Sequence, residues 1–367
     1  MAAHSLHTAR SIPRSIPQSI RHAVRSHQVA AVCRTLVLVL CVSGFGTLHA
    51  QERPQEPTRL ERGEAAKWLA RIQKAAKREN YVGTLTFQRG STIHSSRIQH
   101  FSDGLNNEYE RLEMLDGKQR EVLRQNSQVH TLIHEAHVVV VEQQEGKDRF
   151  PALLATTKGD VLEQYDMRHF GRERVAGKEC EVFALDPRDS QRFAYRIWAD
   201  KDSGLLIRAQ TLGDAETVLE QIAFSQVDIG VPSGKQRIIG AIKGLSGWRK
   251  YDIHYQPANL ADQGWQVSAP VRGFQKIREV RRPLNTDNEK AFEVHQVVFS
   301  DGLAGLSVFI EPVDQQRMRK EGIAAQGPTH IQVRRVADHW ITVVGEVPAS
   351  TVRQFAAAVS YRPAGKP

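Results

Sequence analysis

The sequence has few cysteines and no long hydrophobic run. Of its three cysteines, Cys33 and Cys41 lie within the first 50 residues. Cys180 is then alone and has no partner for an internal disulfide. It alternates with Val182 and Ala184, which predicts a side chain that points into a core. The apolar run that follows the first arginines is too short for an ordinary spanning helix.

Motifs that would mark an enzyme are also missing. His134-Glu135-Ala136-His137 spaces its histidines by three, whereas a zinc protease helix needs a spacing of four, so we interpret it as a polar hairpin. The segment 230–236 is one residue short of a phosphate loop and contains Pro232. Segment 244–247 lacks the spacing of a nucleophile elbow. We therefore expect no catalysis, no metal site and no cofactor.

No acidic residue precedes Glu52, and an apolar run from Leu36 to Val42 leads to small residues ending at Ala50. This pattern is typical of a secretory signal peptide over residues 1–50, cleaved near Ala50. An uncleaved membrane anchor is the alternative. The arginines that form the basic lead are Arg10, Arg14, Arg21, Arg25 and Arg34.

Without these five arginines the formal net charge falls from +9 to +4. The remaining Lys and Arg are interleaved with Glu and Asp, which argues against a nucleic-acid partner. A mildly basic surface leaves anionic lipid or an acidic partner segment open.

Side chains alternate with period two through residues 81–132, as in a sheet with one buried face. Asp103-Gly104 and Asp116-Gly117 separate the alternating runs, where glycine tolerates the positive φ of a hairpin turn. The pattern predicts a meander of antiparallel strands. An apolar stripe at helical spacing predicts a preceding helix over Leu60 to Arg78.

Further strand patterns continue to about Phe224. Residues 226–247 are punctuated by glycine and Pro232, so we interpret them as a linker. The prediction is an α+β protein with a large antiparallel domain at 58–225, the linker at 226–247, and a smaller α+β domain at 248–362. A final helix is expected after Pro348, capped by Ser350.

Three segments together resemble the RseB/MucB family of periplasmic regulators of the sigma-E (AlgU-type) envelope stress response. They are the meander from Tyr81, Arg192–Asp200 with the Ser203–Arg208 segment, and Trp340–Pro348. The resemblance covers roughly residues 58–362. It implies that the large domain is a half-open barrel or curved sheet with helices, similar to the lipoprotein carriers LolA and LolB.

The resemblance also implies a function. Proteins of this family bind the periplasmic segment of a single-span anti-sigma factor of the RseA/MucA type. They shield it from site-1 cleavage by a DegS-type protease, and the sigma factor stays inhibited. Partner contacts are expected on the smaller domain and the interdomain groove. Sensing of lipid or lipopolysaccharide is implied as well, and the oligomeric state is left open. The alternative is a periplasmic lipid or lipoprotein carrier of the LolA/LolB type.

A curved sheet closed by helices can enclose a small lipid. Apolar residues of the predicted sheet, whose burial depends on strand register, are the candidates for lining such a cavity, although each is more often an ordinary core residue. The candidates are Leu85, Phe87, Leu112, Met114, Val122, Phe193 and Tyr195.

Overall fold

Two large sheets, a two-stranded sheet and four α-helices make up the described part of the chain. A computed structural model describes residues 56–143, 160–284, 292–314 and 320–362. The expected export signal lies outside these ranges. All the described residues belong to one compact unit.

The first sheet contains thirteen strands. They are β1 (Thr58–Arg59), β2 (Tyr81–Arg89), β3 (Thr92–Ser102), β4 (Glu108–Met114), β5 (Arg120–Gln125), β6 (Gln128–Ile133), β7 (Val138–Gln143), β8 (Tyr165–Val175), β9 (Lys178–Pro187), β10 (Ala194–Asp200), β11 (Leu206–Leu212), β12 (Val218–Ile229) and β13 (Arg249–Ile253). Their order is β1-β8-β9-β10-β11-β12-β2-β3-β4-β5-β6-β7-β13. The meander predicted over residues 81–132 is confirmed as β2 to β6.

Helix α1 (Arg62–Arg78) covers one face of this sheet, which we call the α1 face. Its apolar stripe, including Leu69 and Ile72, packs into one core with Leu85 of β2 and Phe183 of β9. The helix begins two residues later than predicted, because the Leu60 N–H donates to the Met167 carbonyl at 2.9 Å and keeps Leu60 extended.

Two further helices follow in the chain, α2 (Val161–Gln164) and α3 (Lys235–Lys243). Helix α3 packs on the sheet face opposite to α1, where Ile238 is fully buried in a cluster with Phe101 and Leu123. None of the helices in the described ranges is long and apolar enough to cross a membrane.

The segment predicted as a linker, 226–247, is largely ordered into elements of the first sheet. Strand β12 continues to Ile229 because it pairs with β2 as far as Tyr81. Helix α3 occupies the centre of the segment. Residues 249–253, assigned from sequence to the second domain, form β13, which pairs in parallel with β7. Tertiary pairing overrides the local turn signals in these residues, whereas the division into domains stays a prediction.

The second sheet has seven strands. They are β14 (Gln256–Pro257), β16 (Gln275–Leu284), β17 (Phe292–Ser300), β18 (Gly305–Pro312), β19 (Gly322–Gln326), β20 (Thr329–Val336) and β21 (His339–Gly345). Their order is β14-β16-β17-β18-β21-β20-β19. Two short strands, β15 (Trp265–Val267) and β22 (Val359–Tyr361), pair with each other.

Helix α4 (Ala349–Ala357) packs on the second sheet. Its apolar residues Val352 and Phe355 are buried in the core of this sheet. The predicted Ser350 cap is wrong, since the Thr351 N–H already donates to the Pro348 carbonyl at 2.9 Å and the helix begins at Ala349. The predicted α+β class, with a large curved antiparallel sheet and a smaller α+β part, is confirmed.

Candidate functional site

The two large sheets meet around the loop that joins β9 to β10, and this contact is the candidate site. Arg192 in this loop has a fully buried side chain, and so does Asp301 of the second sheet. Arg192 Nε donates to Asp301 Oδ2 at 2.5 Å. The same guanidinium also donates to Asp189 and to the Arg272 carbonyl, and it lies 4.9 Å from the Phe274 ring centroid.

The turn that carries Asp301 explains why its carboxylate is held in place. Asp301 Oδ1 accepts from the backbone N–H groups of Leu303 at 2.9 Å and Ala304 at 2.7 Å. The pentapeptide FSDGL occurs at 101–105 and again at 299–303. In the first copy Asp103 Oδ1 accepts from the Leu105 N–H at 2.9 Å, which is the same local turn. Only the second copy adds a buried arginine.

Gln191, next to Arg192, reaches α4. Thr351 Oγ1 donates to the Gln191 carbonyl at 2.9 Å, and Gln354 Nε2 donates to Gln191 Oε1 at 2.6 Å. Thr351 is fully buried. The β9–β10 loop therefore inserts between the turn at Asp301 and the start of α4, and it fixes the second sheet relative to the first.

A second polar contact joins β2 and β12 to the second sheet. Arg89 Nε donates to Glu220 Oε2 at 2.8 Å, and Arg89 Nη2 lies 3.7 Å from Glu346 Oε1. Burial, together with the nearby Glu346 carboxylate, raises the pKa of Glu220 above its usual value. A Cβ at Gly327 would lie 2.7 Å from Arg89 Cγ, so Arg89 also abuts the turn between β19 and β20.

Between these contacts the sheets enclose a cavity of about 80 Å³. The first sheet contributes Tyr195, Thr211 and Glu220 to its lining, and the second contributes Phe299 and Glu346 among others. Ligand pockets usually have volumes of about 300–1,000 Å³. This cavity is too small to enclose an acyl chain.

Strand register places six of the seven predicted cavity residues on the α1 face. Leu85 lies opposite Ser96, which lies opposite Met114, and Leu112 lies opposite Val122. Phe87 follows Leu85 at a spacing of two. Through Ile222, Ala209 and Ile197, the same face extends to Tyr195. Phe193 lies just before β10, in the loop that joins the sheets.

The structure does not bring the seven into one cavity within the described ranges. Leu85 and Tyr195 are buried in the core beneath α1, and Leu112 packs at its margin. Phe87 lies beneath the Arg89 guanidinium, and Phe193 stacks near His330 with ring centroids 6.1 Å apart. Val122 is buried, whereas Met114 is half-buried and accepts from Ser96 Oγ at 3.3 Å. Only Tyr195 of the seven lines the 80 Å³ cavity.

His134 and His137 lie in the connection between the antiparallel strands β6 and β7, as the hairpin interpretation predicts. A short 3₁₀ turn at residues 134–136 directs both rings to Trp248, at centroid distances of 5.2 and 4.5 Å. Among the described residues, no group of three His, Cys, Asp or Glu side chains is arranged to hold a metal ion.

Two family models match this chain: the MucB/RseB N-terminal domain over residues 64–242 and the MucB/RseB C-terminal domain over residues 259–360. The chain belongs to the MucB/RseB family. The match to the N-terminal domain ends at residue 242, within α3. The family model therefore includes most of α3 in the N-terminal domain, and in the structure α3 packs on the first sheet.

Relatives of this MucB/RseB protein are regulatory proteins by name. The sigma factor AlgU regulatory protein MucB of Pseudomonas aeruginosa is 29% identical over 307 residues, covering 82% of this chain and 91% of the relative. The sigma-E factor regulatory protein RseB of Escherichia coli K12 is 25% identical over 297 residues, covering 80% of this chain and 89% of the relative.

Two solved structures have the same fold. One is MucB in complex with MucA(peri), with a TM-score of 0.61, 24% identity, and coverage of 82% of this chain and 100% of that chain. The other is the MucA/MucB complex of Pseudomonas aeruginosa, with the same TM-score and coverage and 25% identity.

Proposed function

We propose that this MucB/RseB protein is an exported regulator that binds the periplasmic segment of a single-span anti-sigma factor. The observation that carries the proposal is family membership together with relatives that form complexes with MucA. The buried Arg192–Asp301 contact supports it, because a partner that touches both sheets needs them in a fixed relation. The role is binding, and not catalysis.

The regulatory effect would follow from shielding. A protease must take an extended, accessible stretch of backbone into its active site, and a segment held on this protein is not accessible. Binding therefore lowers the fraction of anti-sigma factor open to site-1 cleavage. The anti-sigma factor stays intact, and the sigma-E type factor stays inhibited. In this way the protein regulates the envelope stress response negatively.

A pull-down from membrane extract, followed by mass spectrometry, tests the partner. We expect an anti-sigma factor in the eluate. Its purified periplasmic segment should then be cleaved more slowly by a DegS-type protease when this protein is added, and a heat-denatured sample serves as control. An eluate that contains only lipoproteins would instead support a carrier of the LolA/LolB type. Equal cleavage rates would rule out shielding.

Lipid sensing is the second part of the proposal, and the half-buried apolar residues on the α1 face support it. Each buried methylene contributes about 0.8 kcal/mol, so ten methylenes would contribute about 8 kcal/mol before entropy costs. Since the observed cavity is about 80 Å³, acyl binding requires a local opening of the α1 face near Leu112 and Met114.

Met114 is a better test position than Leu85, because Leu85 is a core residue and a charge there would unfold the domain. We expect Met114→Asp to weaken release of the partner by a lipid-A-like amphiphile. Leu115→Asp is the matched control, since Leu115 is 41% exposed in the wild type. Equal release from both variants would exclude this face as the lipid site.

A further inference from the structure

The two large sheets have four edges in the described part of the chain, and three of them are protected against further pairing. Strands β1 and β14 are only two residues long, and β14 contains Pro257. Strand β13 carries Arg249, Lys250 and Asp252. Very short strands, proline and charged side chains are the usual means by which proteins prevent an edge from accepting another strand.

Strand β19 has none of these protective features. Its five residues, Gly322–Gln326, are uncharged, contain no proline and are all exposed. Ile323 is 40% exposed, although it is a large apolar side chain. The register with β20 is continuous from Gly322 to Gln326, without a bulge. The outer edge of β19 is therefore a regular row of backbone groups open to an additional strand.

The turn after β19 sets which backbone groups point outwards. Gln326 and Thr329 pair across the two-residue loop Gly327-Pro328, and Gly327 has φ of +57°, which the first central position of a type II′ hairpin turn requires. Antiparallel pairs alternate between bonded and non-bonded. With Gln326 bonded to Thr329, Ala325 and Ile323 direct their N–H and C=O groups away from β20.

This edge lies beside the contact between the two sheets. Gly327 abuts Arg89 of β2, and His330 of β20 stacks near Phe193 of the β9–β10 loop. A strand added to β19 would span about 17 Å along five residues. One end of it would reach the candidate site.

We propose that β19 binds the partner's periplasmic segment as an added strand, so that the second sheet gains an eighth strand. This inference rests on the proposed function. The occupant is a polypeptide, because relatives are found in complex with MucA. Backbone hydrogen bonds provide the affinity in this mode of recognition. The uncharged edge selects an uncharged, extended segment with apolar side chains that can lie beside Ile323.

Calorimetry with the periplasmic part of Pseudomonas aeruginosa MucA tests the proposal. Ala325→Pro removes one outward N–H without removing a bond between β19 and β20, as an edge strand tolerates. Ile323→Lys places a protective charge on the edge. We expect each variant to bind at least tenfold more weakly. Gln236→Lys, on the exposed side of α3, is the matched charge control and should bind within twofold of the wild type.

Circular dichroism and the thermal midpoint establish that the variants are folded. If Ala325→Pro does not fold, the affinity of Ile323→Lys for MucA is compared with that of the wild type instead. Wild-type affinity in a folded Ile323→Lys variant would overturn the edge-pairing proposal and leave the proposed function intact. Failure of the wild type to bind would overturn both.

A cross-link locates the partner directly. Without its first 50 residues the chain has Cys180 as its only cysteine, which is buried, and burial raises the pKa of its thiol to about 12. A photoreactive maleimide therefore labels Ala325→Cys selectively. We expect an adduct with the MucA segment. An adduct with a second copy of this chain, formed equally with and without MucA, would assign the edge to self-association and overturn the proposal.

Discussion

Arg192 joins the two sheets through its buried ion pair with Asp301. It lies in Arg192–Asp200, one of the segments that carries the family resemblance, but its partner Asp301 is 109 residues away. The sequence marks both segments as notable and gives no sign that they meet. Both side chains are fully buried, so neither charge has water as an alternative partner.

Arg192→Met should lower the free energy of unfolding by about 3–5 kcal/mol, because it leaves the Asp301 carboxylate buried without its cation. Urea denaturation followed by tryptophan fluorescence measures the change. Arg188→Met is the control: Arg188 pairs with Asp166 at a half-exposed site, where such a pair contributes about 0–1 kcal/mol.

The double variant Arg192→Met with Asp301→Asn should recover part of the loss, since the neutral side chain removes the unpaired charge and keeps an oxygen that accepts from the N–H groups of Leu303 and Ala304. If Arg192→Met alone is as stable as Arg188→Met, the Arg192–Asp301 pair does not hold the sheets together.

At the scale of elements, α3 shows where pattern and packing disagree. Gly230, Gly234, Gly240 and Gly244 bracket or interrupt the segment, which is typical of a linker. Gly240 also makes the helix less favourable by about 1 kcal/mol relative to alanine. Ile238 nevertheless packs into a hydrophobic cluster on the sheet face opposite to α1. Burial in that cluster stabilises the helix. The signal available in the sequence was the apolar spacing of Ile238, Ile239 and Ile242.

Ile238→Ala should destabilise the protein by about 2–5 kcal/mol through lost burial and a cavity. Gln236→Ala, an exposed position on the same helix, should change stability by less than about 0.5 kcal/mol. Urea denaturation compares them. We also expect trypsin to cut after Lys235 and Arg237 faster in Ile238→Ala than in the wild type, as local opening exposes the backbone.

If trypsin cuts the wild type within α3 as fast as it cuts Ile238→Ala, the linker interpretation of residues 226–247 is supported. The domain boundary stays a prediction until the fragments are measured.

At the scale of the whole molecule, the contact between the sheets should respond to pH through Glu220. Its pKa in the folded protein is raised, first by burial and then by the Glu346 carboxylate, while the Arg89 guanidinium opposes the shift. A group with a raised folded pKa contributes its full stability below the unfolded pKa of about 4.3 and loses it as the pH rises through the folded pKa. Deprotonation should therefore weaken the contact.

Glu220→Gln removes this titration. Relative to the wild type, the variant should gain stability as the pH rises from about 4.3 to neutrality. Urea denaturation at a series of pH values measures the difference in unfolding free energy between the two proteins. A difference that does not change with pH would show that the pKa of Glu220 is not raised in the folded protein.

The sequence by itself determined the elements whose pattern is local. Period-two alternation predicts β2 to β6, and the apolar stripe predicts α1, because each residue's burial there depends on neighbours two to four positions away. Strand register, which only the structure supplies, places six of the seven cavity candidates on one sheet face. Only the tertiary structure decided that this face is largely filled by α1, that α3 is a helix, and that Arg192 meets Asp301. These contacts join residues far apart in the chain, and their energy comes from burial that no local pattern encodes.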